Sequence, residues 1–262
     1  MASLPGFESI DTVICDIDGV VLLGTTPIPG AGPALERIRD AGISVVFVTN
    51  NSTKAPAVIA QKLRDIVGFE TTADHIINSG AATAQFIVDR VDCVYVLGTD
   101  GLRDTLRAAG IKVVTDWHEA DAVVSGLDFN LTYDALVGAT LAVQHGAAFY
   151  ATNVDVTYPT PEGQYPGAGA LVAVIERATG RTPIVCGKPH QPMRLMLEGL
   201  GGRQPLVVGD RPDTDIALGK IEGWATALVL TGVTRDAADV PDEYRPDVVI
   251  DSLADLPGRL GI

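Results

Sequence analysis

The chain has 262 residues, 47% of them hydrophobic, which suits one large or two modest packed domains and excludes a disordered chain. Its 33 acidic residues against 19 basic ones leave a net charge of -14, which argues against the basic face of a nucleic-acid binder. Cys15, Cys93 and Cys186 stand far apart with no metal-ligand spacing, residues 1–6 lack the basic start and apolar core of a leader, and no apolar run reaches membrane-spanning length, so a reducing cytoplasm and no membrane are expected.

The first strand is predicted over residues 12–15. It runs straight into Asp16-Ile17-Asp18-Gly19-Val20, placing two carboxylates at a strand's carboxyl end, where open α/β sheets bind ligands. Two such anions repel unless a cation or a shared proton intervenes, so the run suggests a hard-cation site beside a carboxylate nucleophile. A solvated acidic turn is the competing reading. Ala34, Leu35, Ile38 and Ala41 then recur at helical spacing, with Gly42 as a stop. Residues 44–48 form a continuous, β-branched second strand, as expected of a parallel strand covered on both faces. Thr49-Asn50-Asn51-Ser52 follows, with Ser52 or Thr53 expected to cap a helix whose apolar face is Val58, Ile59, Leu63, Ile66 and Val67. Hydroxyl, amide and backbone N–H groups at that point make an anion site, or simply a capped helix start.

A different block begins near Ser79-Gly80. Strands are expected at 94–97, 112–114, 122–124 and 148–151, and helices at 133–144 and 168–178. From Pro183 the first style returns, with strands at 184–186, 206–208, 227–230 and 248–250. Strand-helix alternation of this kind predicts an α/β protein with largely parallel sheets. The boundaries divide it into a discontinuous first domain, 1–80 and 184–262, and an inserted α/β domain, 81–183.

Two more strand ends carry polar groups. Gly187-Lys188-Pro189 can aim an ammonium into a crevice, or can be a surface turn. Gly209-Asp210-Arg211-Pro212-Asp213-Thr214-Asp215 brings carboxylates that could complete an oxygen-rich magnesium shell, or that merely favour a helix N-terminus.

Asp16, Thr49, Lys188 and Asp210, each at a strand end and in this order, resemble the haloacid dehalogenase superfamily of aspartate-nucleophile phosphatases, over the whole chain. More narrowly, Thr49-Asn50-Asn51-Ser52, Gly187-Lys188-Pro189 and Gly209 to Asp215 resemble its NagD-like, 4-nitrophenylphosphatase and pyridoxal phosphate phosphatase subgroup. Ala151-Thr152-Asn153-Val154-Asp155 and Pro166-Gly167-Ala168-Gly169-Ala170 resemble that subgroup's cap domain. Val20 departs from the pattern, since many members carry Thr there.

The resemblance implies a Rossmann-like core with an inserted α/β cap, and hydrolysis of a small phosphorylated metabolite. Asp16 would be the nucleophile and Asp18 the general acid/base. Thr49 and Lys188, with Gly19, Asn50 and Asn51, would hold the phosphoryl group, and Asn153 and Asp155 would face the substrate. Mg²⁺ would be held by Asp16, Asp18 through its carbonyl, Asp210 and Asp215. Self-association through the cap, as a homodimer, is implied likewise. A phosphotransferase or mutase on the same fold, and a phospho-accepting signalling domain, are the alternatives; Asp18 and the large insert count against the latter.

Overall fold

A computed structural model describes residues 7, 9–160, 162–198 and 202–262; residues 1–6, read above as no leader, lie outside the described residues. The chain packs as two units. One holds the chain to Thr49, Ala57–Ile77 and Leu197–Ile262, and the other Asn50–Pro56 and Asn78–Met196.

The first unit is built on a six-stranded sheet. Its order is Val248–Ile250, Ala225–Val229, Pro205–Gly209, Thr12–Cys15, Ser44–Thr49, Ile76–Asn78. The first five strands run parallel. Thr12–Cys15 is buried at all four positions, which explains why it reads as an unbroken apolar run and not as an alternation. The helix Ala31–Asp40 buries Ala34, Leu35 and Ile38 of the predicted face together with Ala31, whereas Ala41 is its exposed C-cap, and Gly42, at φ 83°, supplies the left-handed residue that ends it. Leu35 and Ile38 are fully buried, each worth roughly 1.5–3 kcal/mol of transfer free energy. Val20 lies in the same core as Val13, Phe47, Leu63 and Val208, which accounts for an apolar residue at that position.

The second unit has a five-stranded parallel sheet in the order Ile184–Val185, Ala148–Ala151, Ala122–Ser125, Cys93–Leu97, Lys112–Val114. Its two faces take alternate side chains. Val94, Val96 and Val124 pack with Leu102 and Leu106 of the helix Asp100–Ala108 and Ile87 of the helix Ser79–Ile87. Leu97, Val123 and Phe149 pack with Ala139 and Val143 of the helix Tyr133–Gln144 and Val172 and Ile175 of the helix Ala168–Thr179. The half-buried Tyr95 ring packs against the helix Tyr133–Gln144 at Gly138, where a methyl would stand 2.7 Å from Tyr95 Oη.

Two expectations need correction. Ile184–Val185 does not return to the first sheet; it pairs with Tyr150 and Ala151 as the edge of the second. The sequence boundaries at 80/81 and 183/184 therefore both fall inside the second unit. Nor do Ser52 and Thr53 cap the next helix, which starts at Pro56. Ser52 Oγ lies 3.0 Å from Thr152 Oγ1, and Thr53 Oγ1 donates to Asn51 Oδ1 at 2.6 Å. Proline is pre-shaped for a first helical position, so the helix needs no start at Ser52.

Candidate active site

In the first unit the site follows from register. Cys15 pairs with Val208 on one side and Phe47 on the other, so Asp16, Gly209-Asp210 and Val48-Thr49 leave three adjacent strands at one edge of the sheet. The Asp16 N–H donates to Val208 O at 2.9 Å, extending the ladder one residue further and fixing where the Asp16 side chain begins. Asp16, Asp210 and Asp215 are 7%, 1% and 1% exposed, and each offers an oxygen within 4.8 Å of the other two.

Each carboxylate is held by its neighbours. Asp215 comes from a five-residue wide turn, Pro212–Ile216, and its Oδ2 accepts from the Arg211 N–H at 3.1 Å. Wide turns of this type re-aim a side chain at the cost of regular helix geometry. Asp210 Oδ2 accepts from the Val233 N–H at 2.5 Å. Its carboxylate lies between two glycines. A methyl at Gly19 would stand 2.7 Å from Asp210 Cγ, and one at Gly232 2.6 Å from Asp210 Cβ, both far inside van der Waals contact. Gly19 is needed twice over, since its φ of 90° suits glycine. The sequence reading missed Gly232; the only signal was a glycine following the strand Ala225–Val229.

Three buried carboxylates this close concentrate negative charge where water cannot disperse it. An all-oxygen donor set of this kind fits a hard divalent cation, and Asp16, Asp210 and Asp215 are the residues that could hold one.

Asp18 differs from these three in being exposed. Gly19, also predicted for the site, has its N–H committed to Leu22 O at 2.7 Å, and its carbonyl accepts from Thr231 Oγ1 at 2.6 Å. Thr49 is 2% exposed at the end of Ser44–Thr49. Asp213 is a surface residue 3.6 Å from Arg211 Nε.

The remaining predicted residues belong to the second unit. Asn51 is exposed, and its Oδ1 accepts from the Thr53 N–H at 3.0 Å, forming a local turn. Asn50 reaches the lysine loop, accepting from the Lys188 N–H at 2.7 Å. Lys188 is only 5% exposed. Asn153 is buried; its Nδ2 donates to Asn50 O at 2.7 Å and its Oδ1 accepts from the Asp155 N–H at 3.1 Å. Asp155 is half-buried, and its carbonyl accepts from the Gly169 N–H at 2.9 Å. Any side chain at Gly167 or Gly169 would collide with the 154–155 backbone, so small residues there serve the start of Ala168–Thr179.

Known proteins match this chain over most of its length. Residues 13–112 match the profile of the haloacid dehalogenase-like hydrolases, and residues 185–256 match a HAD-hydrolase-like profile. An acid sugar phosphatase of Staphylococcus haemolyticus is 40% identical over 226 residues, covering 84% of this chain and 85% of that protein. The chain belongs to the haloacid dehalogenase-like hydrolases. Among solved structures, a p-nitrophenyl phosphatase from Archaeoglobus fulgidus superposes with a TM-score of 0.88 at 36% identity, over 95% of this chain and 98% of that one. A glycerol phosphate phosphatase from Mycobacterium tuberculosis, solved in complex with magnesium, superposes with a TM-score of 0.88 at 34% identity, over 98% of this chain and 79% of that one. This haloacid dehalogenase-like chain is thus an enzyme of the phosphatase type, in the subgroup that contains the 4-nitrophenylphosphatases. Among its described residues, no helix is long and apolar enough to cross a membrane.

Proposed function

We propose that the enzyme is a Mg²⁺-dependent phosphomonoester hydrolase of small phosphorylated metabolites, working through an aspartyl-phosphate on Asp16. The observation that carries this reading is the convergence of buried Asp16, Asp210 and Asp215 at one sheet edge. The relatives named as sugar, glycerol phosphate and nitrophenyl phosphatases support a compact phosphorylated substrate.

An Asp16 oxygen attacks phosphorus, and the ester P–O bond breaks as Asp18 passes its proton to the departing alkoxide. Asp18, now a carboxylate, takes a proton from water, and that water's oxygen displaces phosphate from Asp16. The proton taken from that water returns Asp18 to its acid form for the next cycle. Mg²⁺ would be held by Asp16, the Asp18 carbonyl and Asp210, with Asp215 in support, and when bound it neutralises carboxylates that would otherwise repel the phosphoryl dianion. Thr49, Lys188 and the amides of the Asn50-Asn51 turn spread the charge of the phosphoryl oxygens. The inserted α/β part of the chain serves as the cap that excludes water and carries the homodimer contact, with Asn153 and Asp155 toward the substrate. The enzyme acts in the cytoplasm, a reading supported by its three free cysteines.

Phosphate release from 4-nitrophenyl phosphate, with and without chelator, tests the proposal. The expected result is near-complete loss in chelator and recovery with Mg²⁺. Full activity in chelator rejects the metal assignment.

A further inference from the structure

We infer that Asn50 is a positioning residue for Lys188: its side-chain amide clamps the Lys188 main chain and thereby sets where the ammonium is presented. The inference rests on the phosphate-neutralising role proposed for Lys188.

The clamp is two-sided. Asn50 Oδ1 accepts from the Lys188 N–H at 2.7 Å, and Asn50 Nδ2 donates to the Lys188 carbonyl at 3.4 Å. One side chain thus takes up both main-chain polar groups of one residue, as a neighbouring strand would. Gly187 makes the approach possible, because a methyl there would stand 2.6 Å from Asn50 Oδ1 and 2.6 Å from Thr152 O. Any other residue at 187 would push the lysine loop off Asn50.

Asn50 is itself immobilised. Its carbonyl accepts from Ser79 Oγ at 2.6 Å and from Asn153 Nδ2 at 2.7 Å. Asn153 is steadied through the Asp155 N–H, and Thr152 Oγ1 lies 3.0 Å from Ser52 Oγ. Three other segments of the second unit, at Ser79, Asn153 and Lys188, therefore meet on Asn50. An asparagine beside a phosphate-binding turn would ordinarily be assigned to the substrate. Here its carbonyl oxygen and amide nitrogen are each spent on Lys188, which favours action through the lysine. A lysine carries its charge on a flexible four-carbon stem, so holding its backbone shrinks the volume the ammonium explores.

A double-mutant cycle on kcat/KM for 4-nitrophenyl phosphate tests this. Lys188→Ala should lose on the order of 10²–10³-fold. Asn50→Ala should lose about 10–100-fold. The Asn50→Ala/Lys188→Ala double variant should stay within about threefold of Lys188→Ala alone, because Asn50 has nothing left to position. Asn50→Asp keeps the acceptor for the Lys188 N–H and should recover part of the Asn50→Ala loss. Losses that multiply in the double variant overturn the inference and leave the role of Lys188 standing. Full activity in Lys188→Ala instead removes that role, and the inference with it. If both Asn50 variants lose their fold by circular dichroism, Asn50 belongs to the scaffold alone and the inference is rejected.

Discussion

Gly232→Ala perturbs the proposed metal cradle without altering any ligand. Gly232 does not adopt a left-handed backbone conformation, so the effect of a methyl group is steric. The new carbon would stand 2.6 Å from Asp210 Cβ and closer still to the carboxylate. Carbon atoms settle at about 3.5 Å or more, and Asp210 Cγ would be 2.4 Å away, so Asp210 or the 232–233 backbone must yield by roughly 1 Å. The same movement strains the 2.5 Å bond from the Val233 N–H to Asp210 Oδ2. Magnesium accepts oxygen ligands only near ~2.0–2.1 Å in close to octahedral geometry, so a displacement of that size takes Asp210 out of position. Loss of supporting contacts around a ligand typically costs about 10–100-fold in metal affinity. The Mg²⁺ concentration for half-maximal activity should rise by that factor, with overpacking lowering stability by about 1–3 kcal/mol. Gly258→Ala is the control, because a methyl at Gly258 meets nothing within 4 Å. A Mg²⁺ midpoint in Gly232→Ala equal to that of Gly258→Ala would refute the reasoning.

Burial pushes the Cys186 thiol up to about 12 from an ordinary 9.0, against a smaller opposing effect of the Thr83 hydroxyl. A pKa raised on folding contributes stability that is complete below the unfolded value and fades as pH climbs from about 9 toward 12, by up to ~1.4 kcal/mol per pH unit. Urea midpoints should fall less steeply over that window in Cys186→Ala, and equal slopes would count against the assignment. The proposed homodimer should scatter light as twice 27.4 kDa at micromolar concentration; the mass of one chain alone would reject it.

The parallel strands were legible because strands buried on both faces carry unbroken apolar runs, as Val13–Cys15 and Val45–Val48 do. The strand-end carboxylates were legible because a parallel sheet delivers its strand ends to one edge. Two other strand pieces were not. Ile76–Asn78 offers only two apolar residues before Asn78, and the hairpin Thr157–Thr160 with Gly163–Pro166 carries prolines and polar residues that read as loop. Ile184–Val185 was placed in the wrong sheet because apolar pattern identifies a strand and not its partner. Long-range side-chain roles were invisible for a similar reason. Ser52 and Thr53 look like caps in sequence, and only the chain's return at Thr152 shows where the Ser52 hydroxyl goes. The glycine at 232 has no local conformational signature, since its purpose is to leave room for Asp210, far away in sequence.

The central claim is that Asp16 carries the phosphoryl group between two half-reactions, and trapping that species tests it most directly. Asp18→Asn removes the group that activates water but leaves the nucleophile and the buried carboxylates in place. Rapid acid quench of Asp18→Asn with Mg²⁺ and 4-nitrophenyl phosphate, followed by peptide mass spectrometry, should find phosphate on the peptide containing Asp16, and none when Asp16→Asn is added. Phosphate on another residue, or no phosphorylated peptide while 4-nitrophenol is still released, would contradict the account.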